Sequence, residues 1–209
     1  MAISRLILDG WYFTVKINRE TDAHSSLVRW LRERNLGHLF SGQEKKICYF
    51  TTEYNGSIVV LARSSVEIQD PSVTYKQEVV DLDQPISFVI RLNATKLKRP
   101  PNLKYEQPTK SFQSGVLRSL VSDDELNSRV QDILDQAGLN LIEYAVIDSS
   151  NMRVFHKSTK SFMDYCYMDV HVKSKIRNSE QFKTAWQDGV GAKRVYGFGA
   201  VRLLRVSHG

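Results

Sequence analysis

The sequence predicts an α+β protein built from two small domains of related design. Three observations carry that expectation. Apolar and polar residues alternate over several short stretches, the mark of half-buried strands. Two other segments repeat apolar residues at helical spacing. The order strand, helix, hairpin, strand then occurs twice along the 209 residues. That order is the ferredoxin-like (RRM-like) arrangement, so two such domains are expected in tandem, 1–90 and 91–209, with a glycine-rich loop towards the C-terminus.

The elements follow in order. "SRLILDG" is a β-type run, Leu6 to Leu8, closed by Gly10. In "TDAHSSLVRWLRERNLGHLF", Leu27, Trp30, Leu31 and the stem of Arg34 share a helical face; Thr21 or Asp22 suits the N-cap and Gly37 the stop. "KKICYFTTEY" and "GSIVVLARSSVEI" are strands joined by "YNGS", where Asn-Gly favours a tight hairpin. "ISFVIRLNATKLK" is expected as the further strand of this first half, which sets the boundary near residue 90. In the second half, Ser122 and Glu125 have capping-box spacing. Leu126, Val130, Ile133 and Leu134 follow at helical spacing, and Gly138 ends the helix. "IEYAVIDS" and "SFMDYCYMDVHVKSKI" read as strands, and "SEQFKTAWQDG" as a short helix capped by Ser179. "AVRLLRV" reads as a last strand.

Composition bounds the function. With 42% hydrophobic and 25% charged residues the chain is not disordered as a whole. No segment approaches the roughly 20 apolar residues of a membrane span, and the apolar run at the N-terminus is too short for a signal-peptide core and is cut by Asp9. Two cysteines, Cys48 and Cys166, make neither a disulfide framework nor a four-thiolate site, so reduced thiols in a cytoplasmic protein are expected. The net charge of +6 favours a polyanionic partner.

The positive charge is clustered. Between residues 91 and 118 lie Arg91, Lys96, Lys98, Arg99, Lys104, Lys110 and Arg118 against the single acid Glu106, and Pro100, Pro101 and Pro108 exclude a continuous helix. Such a segment, with Tyr105 and Phe112 embedded, suits a clamp on phosphates and a base; the alternative is a solvated loop. Arg153, Lys157 and Lys160 lie in "MRVFHKSTKS", read as a basic hairpin. Lys193, Arg194, Arg202 and Arg205 form a third cluster.

Lys193 and Arg194 stand inside "GVGAKRVYGFGAVRL", between the pairs Gly189/Gly191 and Gly197/Gly199. A dinucleotide loop would lie between a strand and a helix, whereas this one follows a helix and leads into a strand; the Walker pattern is missing too. The expectation is a loop of bare backbone amides that, with Lys193 and Arg194, lies against the phosphates of a larger polyanion. The alternative is a tight strand connection.

This loop resembles the C-terminal glycine-rich loop of the repeat-associated mysterious proteins, the RNA-binding superfamily of CRISPR systems. Within it the chain is similar to the CasE family of CRISPR RNA-processing endoribonucleases, of type I-E or the close type IV counterpart. "SRLIL", the histidine at the start of the first helix and "FVIRLNATK" agree with that family. Ala94 stands where the family usually has proline. Thr21 stands where relatives often carry a tyrosine, three residues before the histidine, which leaves open which group does a tyrosine's work. The resemblance implies His24 as the catalytic histidine and Arg29 as a candidate for steadying the phosphorane; a solvated surface charge is the other reading of Arg29.

The chemistry suits the residue types. Metal-free RNA cleavage needs a base for the 2′-OH proton, an acid for the leaving 5′-oxygen and a cation for the extra phosphorane charge. Histidine titrates near neutrality and serves either proton step. Taken without the resemblance, a lone histidine at a helix start is more often structural. Ser25 and Ser26 lack a nucleophile elbow and are read as phosphate contacts or helix caps. No carboxylates group with histidines at metal-ligand spacing, so no metal and no cofactor are expected.

The implied function is cleavage of CRISPR repeat RNA in precursor transcripts. The repeat stem-loop would be held by Lys98, Arg99, Lys104, Lys110, Arg153, Lys157, Lys160, Gly189, Gly191, Lys193, Arg194, Gly197 and Gly199. The mature CRISPR RNA would stay bound within an effector complex with other subunits. Two alternatives stay open: a non-catalytic RNA-binding subunit of the same superfamily, and an unrelated protein that binds structured RNA.

Overall fold

The first sheet is built from β1 (Arg5–Lys16), β2 (Ile47–Tyr54), β3 (Ser57–Ser64) and β4 (Thr74–Asp81), in the order β2-β3-β1-β4 and antiparallel throughout. One helix, α1 (Ala23–Glu33), covers it. The structure, a computed structural model, describes residues 4–17, 22–40, 46–54, 57–98, 117–156, 161–191 and 194–204. Strand alternation sends Phe13 and Val15 of β1 towards α1, where Leu27 and Leu31 are fully buried among Ile47, Tyr49, Val60 and Ala62. Burial of each leucine is worth about 1.5–3 kcal/mol. Trp30 stacks on Phe13 with ring centres 4.3 Å apart, and Arg34 lies over Trp30 while donating to Asp70 at 2.7 Å.

Asp22 caps α1: its carboxylate accepts the Ser25 N–H at 2.7 Å. The helix stops earlier than Gly37. Asn35 takes the left-handed turn (φ 59°), a conformation asparagine tolerates, and the amides of Asn35 and Leu36 return to Arg32 and Leu31. Gly37 instead opens a 3₁₀ turn, Gly37–Phe40.

The strand expected to close the first half opens the second. β5 (Ile86–Asn93) lies between two strands of the other sheet and is buried nearly throughout, which explains its continuous apolar reading. The closing role falls to β4, which sequence reading missed. β4 is an edge strand on which only Val80 is buried, so its side chains carry no alternation to detect. The passage between sheets lies in residues 82–85, so 86–90, counted above with the first half, belong to the second sheet.

After β5, the Asn93 side chain accepts the Thr95 N–H at 3.1 Å and the chain enters a small hairpin of β6 (Thr95–Lys98) and β7 (Leu117–Leu120). Next come α2 (Asp123–Gln136), β8 (Leu139–His156), β9 (Ser161–Ile176), α3 (Ser179–Asp188) and β10 (Val201–Leu203). The second sheet has the order β10-β5-β9-β8, so each half is a ferredoxin-like sheet with one strand inserted between its sequence neighbours. The Ser122/Glu125 capping box forms, and Gly138 ends α2 at φ 67°. The cap of α3 is Asn178, not Ser179: Asn178 Oδ1 accepts the Gln181 N–H at 3.0 Å. β8 and β9 pair out to His156 and Ser161, so the strands flanking the expected basic hairpin extend this sheet; residues 157–160 lie outside the described residues.

The domains are bolted together by side chains that cross between them. Leu8 of β1 is buried in the second core. The Arg63 guanidinium of β3 lies 3.7 Å from the Trp186 ring centre of α3 and donates to the carbonyls of Val201 (3.2 Å) and Trp186. From the other side Arg91 binds Asp169 through two bonds of 2.7 Å and reaches Thr51 of β2 at 2.6 Å. Burial opposes the Arg91 charge, and Asp169 overcomes it, leaving the guanidinium pKa raised. Arg202 joins the same carboxylate at 3.7 Å and lies 4.5 Å over Phe50, so it serves the domain junction. Cys48 is buried and Cys166 half-buried, both as free thiols.

Asp169→Ala is expected to cost about 3–5 kcal/mol, because it strands a buried arginine. Asp135→Ala, which removes an exposed pairing with Arg177, should cost less than ~1 kcal/mol. Urea unfolding of the two variants checks the contrast.

Candidate active site at the domain junction

Gly189, Gly191, Gly197 and Gly199 all have positive φ, from 74° to 85°. These angles fold the segment after α3 back on itself: the Val190 N–H donates to the Gly199 carbonyl at 2.9 Å and the Gly199 N–H to the Arg91 carbonyl at 2.9 Å. Gly189 donates to Ala185 and Gly197 to Arg194. The expectation of bare amides is therefore corrected for Gly189, Gly197 and Gly199, whose N–H groups are used inside the protein. The reason these positions are glycine is space as well as φ. A Cβ on Gly199 would overlap the Val190 carbonyl oxygen, and one on Gly197 would meet the Tyr49 ring at 3.0 Å. Gly191 is half-buried.

Arg194 is half-buried and donates to the carbonyls of Asp188 and Gly189 at 3.3 and 3.2 Å, a cation at the C-terminal end of α3. It begins a 3₁₀ turn, Arg194–Tyr196. This turn carries Tyr196 to the first domain. The His24 ring, on the second residue of α1, meets the Tyr196 ring edge-on with centres 5.4 Å apart, and meets Phe40 at 5.5 Å. Tyr196 in turn stacks on Tyr165 of β9 at 5.8 Å, and Phe198 packs edge-on against Tyr165 at 6.1 Å. The glycine segment thus joins the first turn of α1 to the hairpin of β8 and β9.

Electrostatics differ among the phenols. Complete burial pushes the Tyr49 pKa well up, and the charges of Asp22 and Tyr196 add to it. Burial raises that of Tyr196 too, helped by Tyr165 and Asp22. Both therefore keep their protons at neutral pH.

Of the predicted site residues, His24 and the glycine segment are brought together, and Arg194 lies on the same segment. Arg29 is exposed on α1. Five residues of α-helix turn it about 140° from His24 around the axis. Arg99, Lys104, Lys110, Lys157, Lys160 and Lys193 lie outside the described residues, as do Thr21 and Arg205; Lys98 and Arg153 are described in backbone only. Sequence reading missed Tyr196, Tyr165, Tyr49 and Phe40. Tyr196 was within reach, since it stands inside the quoted loop, yet a lone tyrosine among glycines and cations carries no spacing signal. Among the described residues no three His, Cys, Asp or Glu side chains are grouped to hold a metal ion, and no helix is long and apolar enough to cross a membrane.

Fold and site together define a two-domain ferredoxin-like protein with a glycine loop folded against a helix-borne histidine. No protein-family model and no curated relative matches the sequence. Solved structures do. The chain superposes on the CRISPR endoribonuclease Cse3 bound to 19-nucleotide RNA, at TM-score 0.61 and 15% identity, over 94% of this chain and all of that one. It is similar to the CRISPR-associated protein Cas6e of Escherichia coli K-12 at TM-score 0.59 and 17% identity, with the same coverage. A chain of a CRISPR RNA-guided surveillance complex matches at TM-score 0.55 and 15% identity, again over 94% of this chain and all of that one. The chain therefore has the fold of these proteins, the fold that the glycine loop and element order suggested.

Gly199→Ala is expected to lower stability by about 2 kcal/mol or more, from the left-handed φ and the lost space. Gly37→Ala, whose added Cβ meets only the Arg32 side chain at 3.6 Å, should stay within ~1 kcal/mol of the parent. Chemical denaturation measures both.

Proposed function

We propose that this chain is a metal-independent endoribonuclease that cleaves CRISPR repeat RNA in precursor transcripts. His24 acts as general acid/base in attack by the 2′-OH, and the enzyme remains on the mature CRISPR RNA as a subunit of an effector complex. The observation that carries the reading is the meeting of His24 with the glycine segment across the domain junction. Had the two lain on separate faces, one RNA hairpin could not have engaged both. The likeness to an endoribonuclease bound to RNA and to a chain of a surveillance complex supports the substrate class and the assembly.

Attack by the 2′-oxygen forms the new P–O2′ bond and breaks P–O5′, leaving a 2′,3′-cyclic phosphate and a 5′-hydroxyl. RNA binding rests on cations: Lys98, Arg99, Lys104 and Lys110 of the basic segment, Arg153, Lys157 and Lys160 of the hairpin, and Lys193 and Arg194 of the loop. The glycines shape that loop and, with three of their amides occupied, leave most phosphate contact to side chains. Arg29, on its own side of α1, is assigned to backbone phosphates beyond the cut. The two domains, divided at residues 82–85, share the labour: His24 stands on the first and the glycine segment on the second.

His24→Ala should lower the single-turnover cleavage rate by about 10²–10⁴-fold while RNA affinity stays within about threefold. Cleavage in EDTA should persist, and a 2′-deoxy sugar at the cut should abolish it. Affinity should fall by about 10³–10⁵-fold between about 50 and about 200 mM salt, because phosphate contacts release counterions. Cleavage that needs a divalent metal or survives the deoxy sugar would overturn the mechanism.

A further inference from the structure

We propose that the outer edge of β4 is a dimer interface, where a second copy of this chain pairs antiparallel about a twofold axis at Gln77 and the two first sheets become one. The proposal stands apart from the cleavage reading. Among the described residues no strand lies on the outer side of β4, and an edge of this kind presents a row of main-chain N–H and C=O groups to another strand. The strand is regular enough to pair. Its register with β1 runs unbroken from Arg5/Asp81 to Tyr12/Thr74, and it contains no proline. Two of its side chains lean back over β1, away from the edge: Asp9 accepts the Tyr75 hydroxyl at 2.6 Å and the Gln77 amide at 2.8 Å.

The pattern "TYKQEVVD" selects a second copy as the occupant, because it is complementary to itself. A twofold axis normal to a sheet passes through one directly opposed pair, so every such antiparallel register is centred on a residue. Centred on Gln77, the register sets Lys76 against the second copy's Glu78 and Tyr75 against its Val79, each twice. The neighbouring registers, centred on Lys76 or Glu78, set like charges against each other, which destabilises a sheet. A lysine on an edge strand usually discourages pairing; here the same strand carries the counter-charge two residues on. Both groups sit on one face around Tyr12. The Lys76 Nζ lies 5.6 Å from that ring centre, and Glu78 Oε1 accepts the Tyr12 hydroxyl at 2.5 Å.

The other face of the strand adds apolar contact. Val79 is 59% exposed, Tyr75 48% and Ile7 of β1 49%. Ile7 is paired with Val79, and Trp11 with Tyr75, whose rings lie 5.2 Å apart. In the register centred on Gln77, Ile7 and Val79 of one copy continue into Tyr75 and Trp11 of the other, once on each side of the axis. Two separate apolar pairs thus become two rows that run across the junction, and surface that one copy leaves in water is covered. The candidate site is clear of this edge. His24 packs on Phe40, which lies 6.0 Å from Tyr49 of β2, and β2 and β4 are opposite edges of the sheet.

The test is the oligomeric state of the full chain without RNA. Sedimentation equilibrium at micromolar to submillimolar protein should give twice the monomer mass. Lys76→Glu, which sets carboxylate against carboxylate, should weaken association by about tenfold or more. Adding Glu78→Lys to it restores opposite charges and should bring the dimer back. Gln77→Cys reads the register without touching those charges. Across the axis its Cα atoms would stand about 4.5–5.5 Å apart, within reach of a disulfide. Mild oxidation should link Gln77→Cys into dimers, and should link neither Thr74→Cys nor the parent, whose Cys48 is buried and Cys166 half-buried. A parent protein that stays monomeric would overturn the proposal, whether the edge then takes a different chain or none. A dimer that Lys76→Glu leaves intact, or that Gln77→Cys fails to link, would overturn it as well, because the contact then lies elsewhere.

Discussion

Two arginines hold this molecule in one piece, and the candidate site depends on them. Arg63 leaves the first sheet to lie on Trp186 of α3, and Arg91 leaves the second to reach Thr51 of the first. Neither contact is free of cost. Arg63 is a buried cation whose donors go to main-chain carbonyls, and its Nε is buried with no partner. The Trp186 face offsets part of that desolvation, by about 2 kcal/mol for a well-buried cation–π contact. Arg91 is better placed, with both oxygens of Asp169 in a flat, two-bond pairing. A junction of this kind sets orientation more than affinity, since a guanidinium fork accepts its partners from few directions.

Orientation is what the site requires. His24 comes from the first domain and the glycine segment from the second, so neither domain alone brings them together. The glycine segment transmits the junction to the site, because the Gly199 amide is bonded to the carbonyl of Arg91 itself. The same residue thus fixes the domain angle through its side chain and the loop through its backbone. That dual use accounts for an occupied glycine amide: the backbone of Gly199 is held by the protein rather than left open for a ligand.

Legibility varied with how local each signal was. The capping box at Ser122, the stop at Gly138 and the buried face of α1 were readable because each is decided within a turn or two of helix. The end of α1 was misplaced by two residues because Asn35 did a glycine's work. β4 escaped because an exposed edge strand shows no apolar alternation, and its absence shifted the run from Ile86 into the wrong half. The glycine loop was noticed for its glycines and cations, whereas the group it brings against His24 in the structure is an aromatic, Tyr196.

By itself the sequence determined the α+β class, the repeated element order, the sites of positive charge and the need for left-handed backbone after α3. Those properties reside in short-range sterics, in the period of apolar residues and in composition. Tertiary structure alone decided which strand belongs to which sheet, that the loop amides turn inward, and that His24 meets Tyr196. The physical reason is common to all three. Each depends on which surfaces remain uncovered once the cores have formed, and on contacts between residues far apart in the chain that no local pattern records.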